Sequence, residues 1–223
     1  GAALGVFAVR PALAAEPQAS AEQAADLLDL SLTELVKIPI PKVYGASKWV
    51  EPITKAPSSI TVIDADEIKR YGHRTLADVL ASVRGLYVTY DRNYSFLGTR
   101  GFNRGDYNSR VLVLVDGHRI NNNLSDGGFI GTEFILDVDL IEQVEVIRGP
   151  VATLYGNNAF FGIINVITRR GESLKGVGAE ASVEAGAFDT YKGRATWGQK
   201  FDNGLEMLFS GSIYDSAGPG RLF

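Results

Sequence analysis

Apolar and polar residues alternate with a period of two along the C-terminal part of the chain. The alternation runs through residues 177–186, 191–198 and 205–214, and an Asp-Asn-Gly turn at residues 202–204 separates the last two segments. This pattern predicts antiparallel strands with one apolar and one polar face. The strands reach the roughly nine to eleven residues that a tilted membrane-spanning strand needs. A half-buried sheet of a water-soluble domain alternates in the same way, so the alternation alone leaves both structures open.

Residues 58–171 instead combine short apolar runs with turn and capping residues. Asp64, with Glu67 three residues later, predicts the capped start of a short helix, and Gly72 predicts its end. Thr75 predicts the cap of a second helix, which Gly85 ends. The apolar face of that helix comprises Leu76, Val79 and Leu80.

Strand predictions fill the rest of this region. The β-branched or apolar runs lie at residues 59–63, 86–90, 111–115, 118–120, 144–147 and 163–168. Asp116 and Gly117, between the third and fourth runs, form a strong hairpin signal. Short strands mixed with short helices predict a small α+β domain.

The N-terminal residues carry signals of export rather than of a folded domain. Residues 1–15 are mostly apolar and contain an A-x-A pattern at residues 12–14, which predicts the remnant of a secretory signal peptide. Residues 16–55 are interrupted by Pro39, Pro41 and Pro52, which predicts an extended and poorly packed segment.

Composition and charge narrow the classes of function. The 223-residue chain has a formal net charge of −4 and no cluster of basic residues, so we expect no nucleic acid partner. It contains no Cys, and neither His73 nor His118 has an evident nucleophile nearby. The acidic residues between positions 126 and 139 match no calcium loop, and no phosphate-binding fingerprint occurs. We expect no catalytic site, no metal and no cofactor. No apolar run approaches the roughly 20 residues of a spanning helix, so membrane insertion would use strands.

Seven segments, in order along the chain, resemble the plug domain of TonB-dependent outer-membrane receptors. They are APSSITVI at residues 56–63, LADVL at 76–80, RGF at 100–102, VLVDG at 113–117, IEQVEVIRGP at 141–150, LYGNNAF at 154–160 and GIINVIT at 162–168. The resemblance covers residues 56–171. It implies an α+β plug domain, with a short mixed sheet and short helices, followed from residue 175 to 223 by the first antiparallel strands of an incomplete transmembrane β-barrel.

The resemblance also implies a function and a location. A receptor of this family performs active transport of a scarce ligand across the bacterial outer membrane, driven by a TonB-type energy transducer in the periplasm. We expect a ferric siderophore first, and otherwise haem, cobalamin or an oligosaccharide, with outer-membrane lipid around the strands. Three strands cannot close in lipid without unpaired backbone groups, so we expect this chain to be part of a longer protein. The alternative is a stand-alone periplasmic plug-like ligand-binding module.

By the same resemblance, three plug loops at residues 91–96, 103–108 and 121–131 would form the floor of the ligand chamber. The candidate ligand-binding residues in them are Arg92, Asn93, Tyr94, Arg104, Asp106, Tyr107 and Asn122. Arg100 and Arg148 each precede a Gly, so each guanidinium can reach a facing carboxylate. In the family such arginines pair with acidic residues of the barrel wall.

A contact with the energy transducer is expected before the plug, although no clear copy of the short TonB box occurs there. The candidate residues alternate along the segment and are Ile38, Ile40, Val43 and Tyr44. Such a segment can add a strand to the edge of a partner's sheet. Pro39 and Pro41 remove backbone donors from it, so a simple linker remains an equal alternative.

Overall fold

The computed structural model describes residues 59–103, 105–149, 155–174 and 178–218, and the backbone alone of residues 42–43, 51–52 and 157. These residues belong to one compact unit of the chain, Lys42–Phe223. The predicted signal-peptide remnant and the transducer-contact residues Ile38, Ile40 and Tyr44 lie outside the described residues, as does the side chain of Val43. The prediction that Pro150 opens a short helix lies outside them as well.

The described part of the chain contains twelve strands, two α-helices and three 3-10 helices. The strands are β1 (Lys42–Val43), β2 (Glu51–Pro52), β3 (Ser59–Asp64), β4 (Leu86–Tyr90), β5 (Ser95–Thr99), β6 (Val111–Val115), β7 (His118–Arg119), β8 (Ile141–Arg148), β9 (Gly162–Thr168), β10 (Ala179–Gly186), β11 (Thr190–Lys200) and β12 (Glu206–Asp215). The helices are α1 (Ala65–Tyr71), α2 (Leu76–Ala81), η1 (Val138–Leu140), η2 (Asn157–Ala159) and η3 (Gly171–Ser173).

A five-stranded mixed sheet forms the centre of the α+β domain. Its strand order is β3-β8-β9-β6-β7, and only the β6–β9 pair is parallel. The buried strands β6 and β9 are continuous apolar runs apart from Asn165 and the terminal Thr168, as expected for strands covered on both faces. The prediction of a small α+β domain with a mixed sheet is confirmed.

Side-chain caps fix both α-helices where the sequence predicts them. Asp64 Oδ1 accepts from the Glu67 N–H at 2.8 Å, and Gly72 ends α1 in the left-handed region with φ 65°. Thr75 and Asp78 form a capping box at α2. The helix ends at Ala81, four residues before the predicted Gly85, because the chain turns through Ser82–Arg84 towards β4.

The larger hydrophobic core lies between the helices and one face of the sheet. The predicted apolar face of α2 is fully buried there. A smaller core on the other face is formed by Leu112, Leu114, Ile147, Ala159 and Ile163. Beside it, the buried Asn165 donates to Glu145 Oε2 at 3.0 Å and accepts from the Gly117 N–H at 3.2 Å. Polar groups in this layer therefore have partners, as burial demands.

The strands β4 and β5 form a separate hairpin, of which the sequence predicts β4 but not β5. Tyr90 pairs with Ser95, so the connecting loop is confined to residues 91–94. Ser95 and Phe96, which belonged to the predicted loop, are the first residues of a strand. The sequence between the two strands does not show where the loop ends and β5 begins. Pairing registers that differ in loop length are equally compatible with so short a stretch of alternating residues.

The C-terminal strands β10, β11 and β12 form an antiparallel sheet in sequence order. One face, with Lys192, Arg194 and Thr196, is directed towards the α+β domain. The other face is exposed and apolar, with Val183 at 89% and Ile213 at 80% exposure. The predicted alternation is thus confirmed strand by strand.

Among the residues that the structure describes, no helix combines the length and the apolar character needed to cross a bilayer.

The cap of α2 supplies a test of the local structure. Thr75→Ala removes the hydroxyl that accepts from the Asp78 N–H at 3.1 Å, which should cost about 1 kcal/mol, or about fivefold in local opening. Hydrogen–deuterium exchange of Leu76–Ala81 should therefore accelerate by about that factor. Thr75→Ser keeps the hydroxyl and serves as the control; equal exchange in the two variants would contradict the assigned cap.

Candidate functional site

Three segments of the α+β domain, strand β5 and two loops, meet around the side chain of Asn108. Its Oδ1 accepts from the Leu97 N–H at 2.6 Å, and its Nδ2 donates to the carbonyls of Ser95 at 3.0 Å and Gly128 at 2.8 Å. The residue has φ 60°, a conformation that Asn tolerates better than most residues. One buried carboxamide thus joins the β4–β5 hairpin, the segment before β6 and the segment after β7.

Asn121 fastens the third of these segments to the central sheet. Its Oδ1 accepts from the Val113 N–H at 2.8 Å, and its Nδ2 donates to the carbonyls of Val111 at 3.0 Å and Asp126 at 2.9 Å. Neither asparagine was predicted from the sequence to support the site. Asn108 precedes the apolar run 111–115, and Asn121 opens an Asn-Asn-Asn stretch after it; without the fold, neither can be told from an ordinary loop residue.

Aromatic rings from the three loops pack together next to these supports. Tyr94 and Tyr107 are edge-to-face at 5.1 Å, and Phe129 lies 6.0 Å from Tyr94 and 6.4 Å from Tyr107. Phe96 lies 6.1 Å from Tyr107. Tyr94 and Tyr107 remain 36% and 45% exposed. We call these four residues the aromatic floor; it offers ring faces and two phenol hydroxyls to a ligand.

The carboxylate of Asp91 shapes the loop beside the aromatic floor. Its Oδ1 accepts from the N–H groups of Tyr94 at 2.7 Å and Asn93 at 2.9 Å. These two hydrogen bonds, that from Tyr94 first, hold the pKa of the Asp91 carboxyl below its usual value. Arg92, with φ 79°, occupies the left-handed position of the turn and is exposed.

The remaining predicted ligand-binding residues have structural contacts of their own. Asn122 Oδ1 accepts from the N–H groups of Leu124 and Ser125, both at 2.8 Å. Asp106 Oδ2 accepts from the Ser109 hydroxyl at 2.9 Å. Arg104 lies outside the described residues. The structure thus brings the predicted loops together at one end of the domain, and their role in binding a ligand stays a prediction.

The two arginines predicted to contact the barrel wall occupy different surroundings. Arg148 donates to the Arg84 carbonyl at 2.8 Å and to the hydroxyls of Thr61 at 3.0 Å and Ser59 at 3.1 Å. Arg100 is exposed, and its backbone N–H donates to the Gly85 carbonyl. Within the described ranges neither guanidinium forms an ion pair. Their pairing with wall carboxylates also stays a prediction.

Ion pairs of both polarities join the α+β domain to the C-terminal sheet, and a further pair, Arg194 with Glu180, lies within that sheet. Lys192 Nζ lies 2.8 Å from Asp137 Oδ1 and 2.6 Å from Asp139 Oδ2. Arg194 Nη2 lies 2.7 Å from Glu180 Oε1, and Arg169 Nη1 lies 3.0 Å from Glu180 Oε2. We call these six residues the ionic network: Asp137, Asp139, Arg169, Glu180, Lys192 and Arg194. From the sequence, the two aspartates were only excluded as part of a calcium loop, and their pairing with Lys192 was not predicted.

These ion pairs are more buried than typical surface ion pairs, so solvent screens them less. The side chain of Arg194 is 4% exposed; it also donates to the Thr196 hydroxyl, and its Nε lies 3.4 Å from Asp139 Oδ2 without hydrogen-bond geometry. Burial raises the pKa of Asp137, but hydrogen bonds from Lys192 and from the Asp139 N–H outweigh it, and the net pKa is lowered. The carboxylate therefore stays ionised and paired in neutral and mildly acidic solution.

A polar cavity of about 650 Å³ lies between the same two layers. Side chains of both signs line it, including Lys69, Arg74, Glu142 and Glu184, together with His73 and Tyr214. Within the described ranges, no group of three or more His, Cys, Asp or Glu side chains is arranged to hold a metal ion.

Comparison with known proteins agrees with this architecture. The family model described as TonB-dependent receptor plug domain matches residues 52–163. The vitamin B12 transporter BtuB of Vibrio vulnificus is 36% identical over 181 residues, which is 79% of this chain and 28% of that protein. An iron-regulated outer membrane virulence protein of Vibrio cholerae is 36% identical over 132 residues, 57% of this chain and 20% of that protein.

A solved structure shows the same fold. The ferripyoverdine receptor of the Pseudomonas aeruginosa outer membrane, in complex with ferripyoverdine, aligns with a TM-score of 0.64 and 19% identity over 79% of this chain and 22% of that one. This chain therefore spans about a quarter of the length of these proteins. The region that the family model matches contains the three loops and the mixed sheet up to the start of β9, and the C-terminal sheet follows β9. The chain belongs to the TonB-dependent receptor plug domain family, with β10–β12 as the antiparallel strands of a partial receptor barrel.

Proposed function

We propose that this chain is the plug and the first wall strands of a receptor for TonB-dependent active uptake across the bacterial outer membrane. The observation that carries the proposal is the assembly of three plug loops into one partly exposed aromatic floor by Asn108. Preformed concave or exposed aromatic surfaces with a few polar groups are typical of ligand sites. The relatives are named as a vitamin B12 transporter and an iron-regulated outer membrane protein rather than as enzymes.

The chemistry of the same surface supports a proposal for the class of ligand. Ring faces beside Arg92, Asn93, Asp106 and Asn122 suit a ligand that combines planar groups with polar or anionic ones. A ferric siderophore is the first candidate, and cobalamin, haem or an oligosaccharide are the others. The plug would occlude the barrel, and ligand binding would make the segment with Ile38, Ile40, Val43 and Tyr44 available to the transducer.

The outward face of the wall strands supports a position in lipid. Val183, Phe209 and Ile213 expose large apolar side chains in one plane, and Trp197 stacks on Phe209 at 5.9 Å. Such an apolar face next to a polar lumen face is the pattern of outer-membrane strands. It is costly in water, which speaks against a stand-alone periplasmic module.

The ionic network supports a plug that is held on the wall while the receptor rests. Asp137 and Asp139 come from the plug, and Lys192 comes from the wall. Separating the two layers would leave partly buried charges without partners. Breaking a fully buried ion pair costs several kcal/mol, and breaking these partly exposed pairs costs less. Movement of the plug thus requires either ligand-induced rearrangement or work from the transducer.

The aromatic floor gives a direct test of ligand binding. In the full-length receptor, Tyr94→Ala together with Tyr107→Ala should raise the Kd of the bound ligand by at least about tenfold, because truncated aromatic anchors lose most of their contact. Isothermal titration calorimetry with ferric siderophores, cobalamin and haem measures it. Tyr71→Ala removes an exposed tyrosine at the end of α1, outside the aromatic floor, and is the control. Binding of no member of the panel, or equal losses in both variants, would refute the proposal.

The ionic network predicts the pH dependence of plug attachment. Because the folded pKa of Asp137 is lowered from its usual 3.8, its contribution is complete above that value and is lost as the pH falls through the lower folded pKa. Protease sensitivity of the plug in the full-length receptor should therefore be flat from pH 7 to about pH 4 and rise below it.

A charge variant isolates this contribution. Asp137→Asn with Asp139→Asn should weaken attachment by about 1–3 kcal/mol at neutral pH and remove most of the acid-induced increase. Asp66→Asn changes an exposed carboxylate on α1 that lines the cavity, and is the control for charge alone. A wild-type pH profile in the double variant would show that the network does not hold the plug.

A further inference from the structure

We propose that Arg148 is a clasp that holds the first plug strand, β3, on the sheet at the end where the N-terminal segment enters it. We define the Arg148 clasp as the contacts of its guanidinium with Ser59, Thr61 and Arg84. That a pull arrives through the N-terminal segment rests on the proposed function; the contacts themselves do not.

Because of the sheet topology, a force applied through the N-terminal segment acts first on the N-terminal end of β3. Strand β3 is at the edge of the five-stranded sheet and pairs there with β8 alone. The register runs from Ser59 opposite Arg148 to Asp64 opposite Gln143. Any force that reaches the plug through residues before position 59 acts on the Ser59–Arg148 pair before the others. An edge strand loaded at one end can open pair by pair, because no second neighbour holds it.

The guanidinium of Arg148 reinforces this end. Its Nη2 donates to Ser59 Oγ at 3.1 Å and to Thr61 Oγ1 at 3.0 Å, and these residues, two apart, share one face of β3. Its Nη1 donates to the Arg84 carbonyl at 2.8 Å, between α2 and β4. One planar fork therefore joins the edge strand, its neighbour β8 and the connection after α2, a geometry that Arg permits and Lys does not.

The acceptors of the clasp are neutral hydroxyl and carbonyl oxygens. A hydrogen bond from a charged guanidinium to such an acceptor is stronger than one between two neutral groups. When β3 leaves, water replaces the two hydroxyls, so the edge strand loses two such bonds at the end where it opens.

The experiment is constant-force extension of the full-length receptor in lipid, pulled through a handle at its N-terminus. Ser59→Ala with Thr61→Val removes both hydroxyl acceptors and leaves Arg148 in place. We expect the lifetime of the first plug-opening event to fall by at least about tenfold, and by an intermediate factor in Thr61→Val alone. An unchanged lifetime in the double variant overturns the proposal.

The control tests whether general stability explains the effect. Asp64→Ala removes the α1 cap at the opposite end of β3, where Asp64 Oδ1 accepts from the Glu67 N–H, and should leave the first event unchanged. An equal shortening in this control would overturn the clasp. Seating of β3 before pulling is checked with Ile60→Cys, in a receptor freed of any other Cys; the 223 residues of this chain contain none. Slow maleimide labelling shows that the variant strand is in place, and if the double variant labels quickly, Thr61→Val alone decides.

This measurement needs neither ligand nor transducer, so the two proposals can fail separately. A shortened lifetime in a receptor that takes up no ligand would sustain the clasp and refute uptake. Normal uptake with an unchanged lifetime would refute the clasp alone.

Discussion

Irregular backbone inside a receptor must find hydrogen-bond partners, and this requirement governs the plug. The loops around the aromatic floor are not part of any ladder over most of their length, yet they pack against a buried sheet. The carboxamides of Asn108 and Asn121 supply hydrogen-bond partners to six backbone groups. The loops can therefore be long and polar without being loose, and the aromatic rings they carry keep a fixed spacing.

The plug uses charged side chains in two kinds of contact, ion pairs with the wall and hydrogen bonds to neutral oxygens within its own sheet. Where the plug meets the wall, Asp137, Asp139 and Lys192 form ion pairs across two layers. Where β3 meets β8, Arg148 meets only neutral oxygens in the described residues. The first arrangement resists separation because each side leaves a charge behind. The second stabilises the edge of the sheet through charge-assisted hydrogen bonds.

The sequence predicted local structure well and side-chain partnerships poorly. Caps such as Asp64 and Thr75 act over three residues, so they can be recognised in a linear chain. The end of α2 at Ala81 and the start of β5 at Ser95 depend on tertiary packing, and both were misplaced. Lys192 and Asp137 are 55 residues apart, and no local pattern indicates that they meet. The three loops were located only through the family resemblance. A resemblance implies how the chain is connected in space, whereas the periodicity of the sequence indicates only local secondary structure.

The stack of Trp197 on Phe209 has a practical consequence for spectroscopy of the receptor. Trp197 lies on the outward face of β11, away from the aromatic floor, whose rings are tyrosine and phenylalanine. Its emission reports the polarity of whatever surrounds the wall, and a shift between detergent and bilayer would measure immersion. A test of the proposed ligand binding needs a reporter at the aromatic floor, such as the tyrosine absorbance of the plug or a chromophore in the ligand itself.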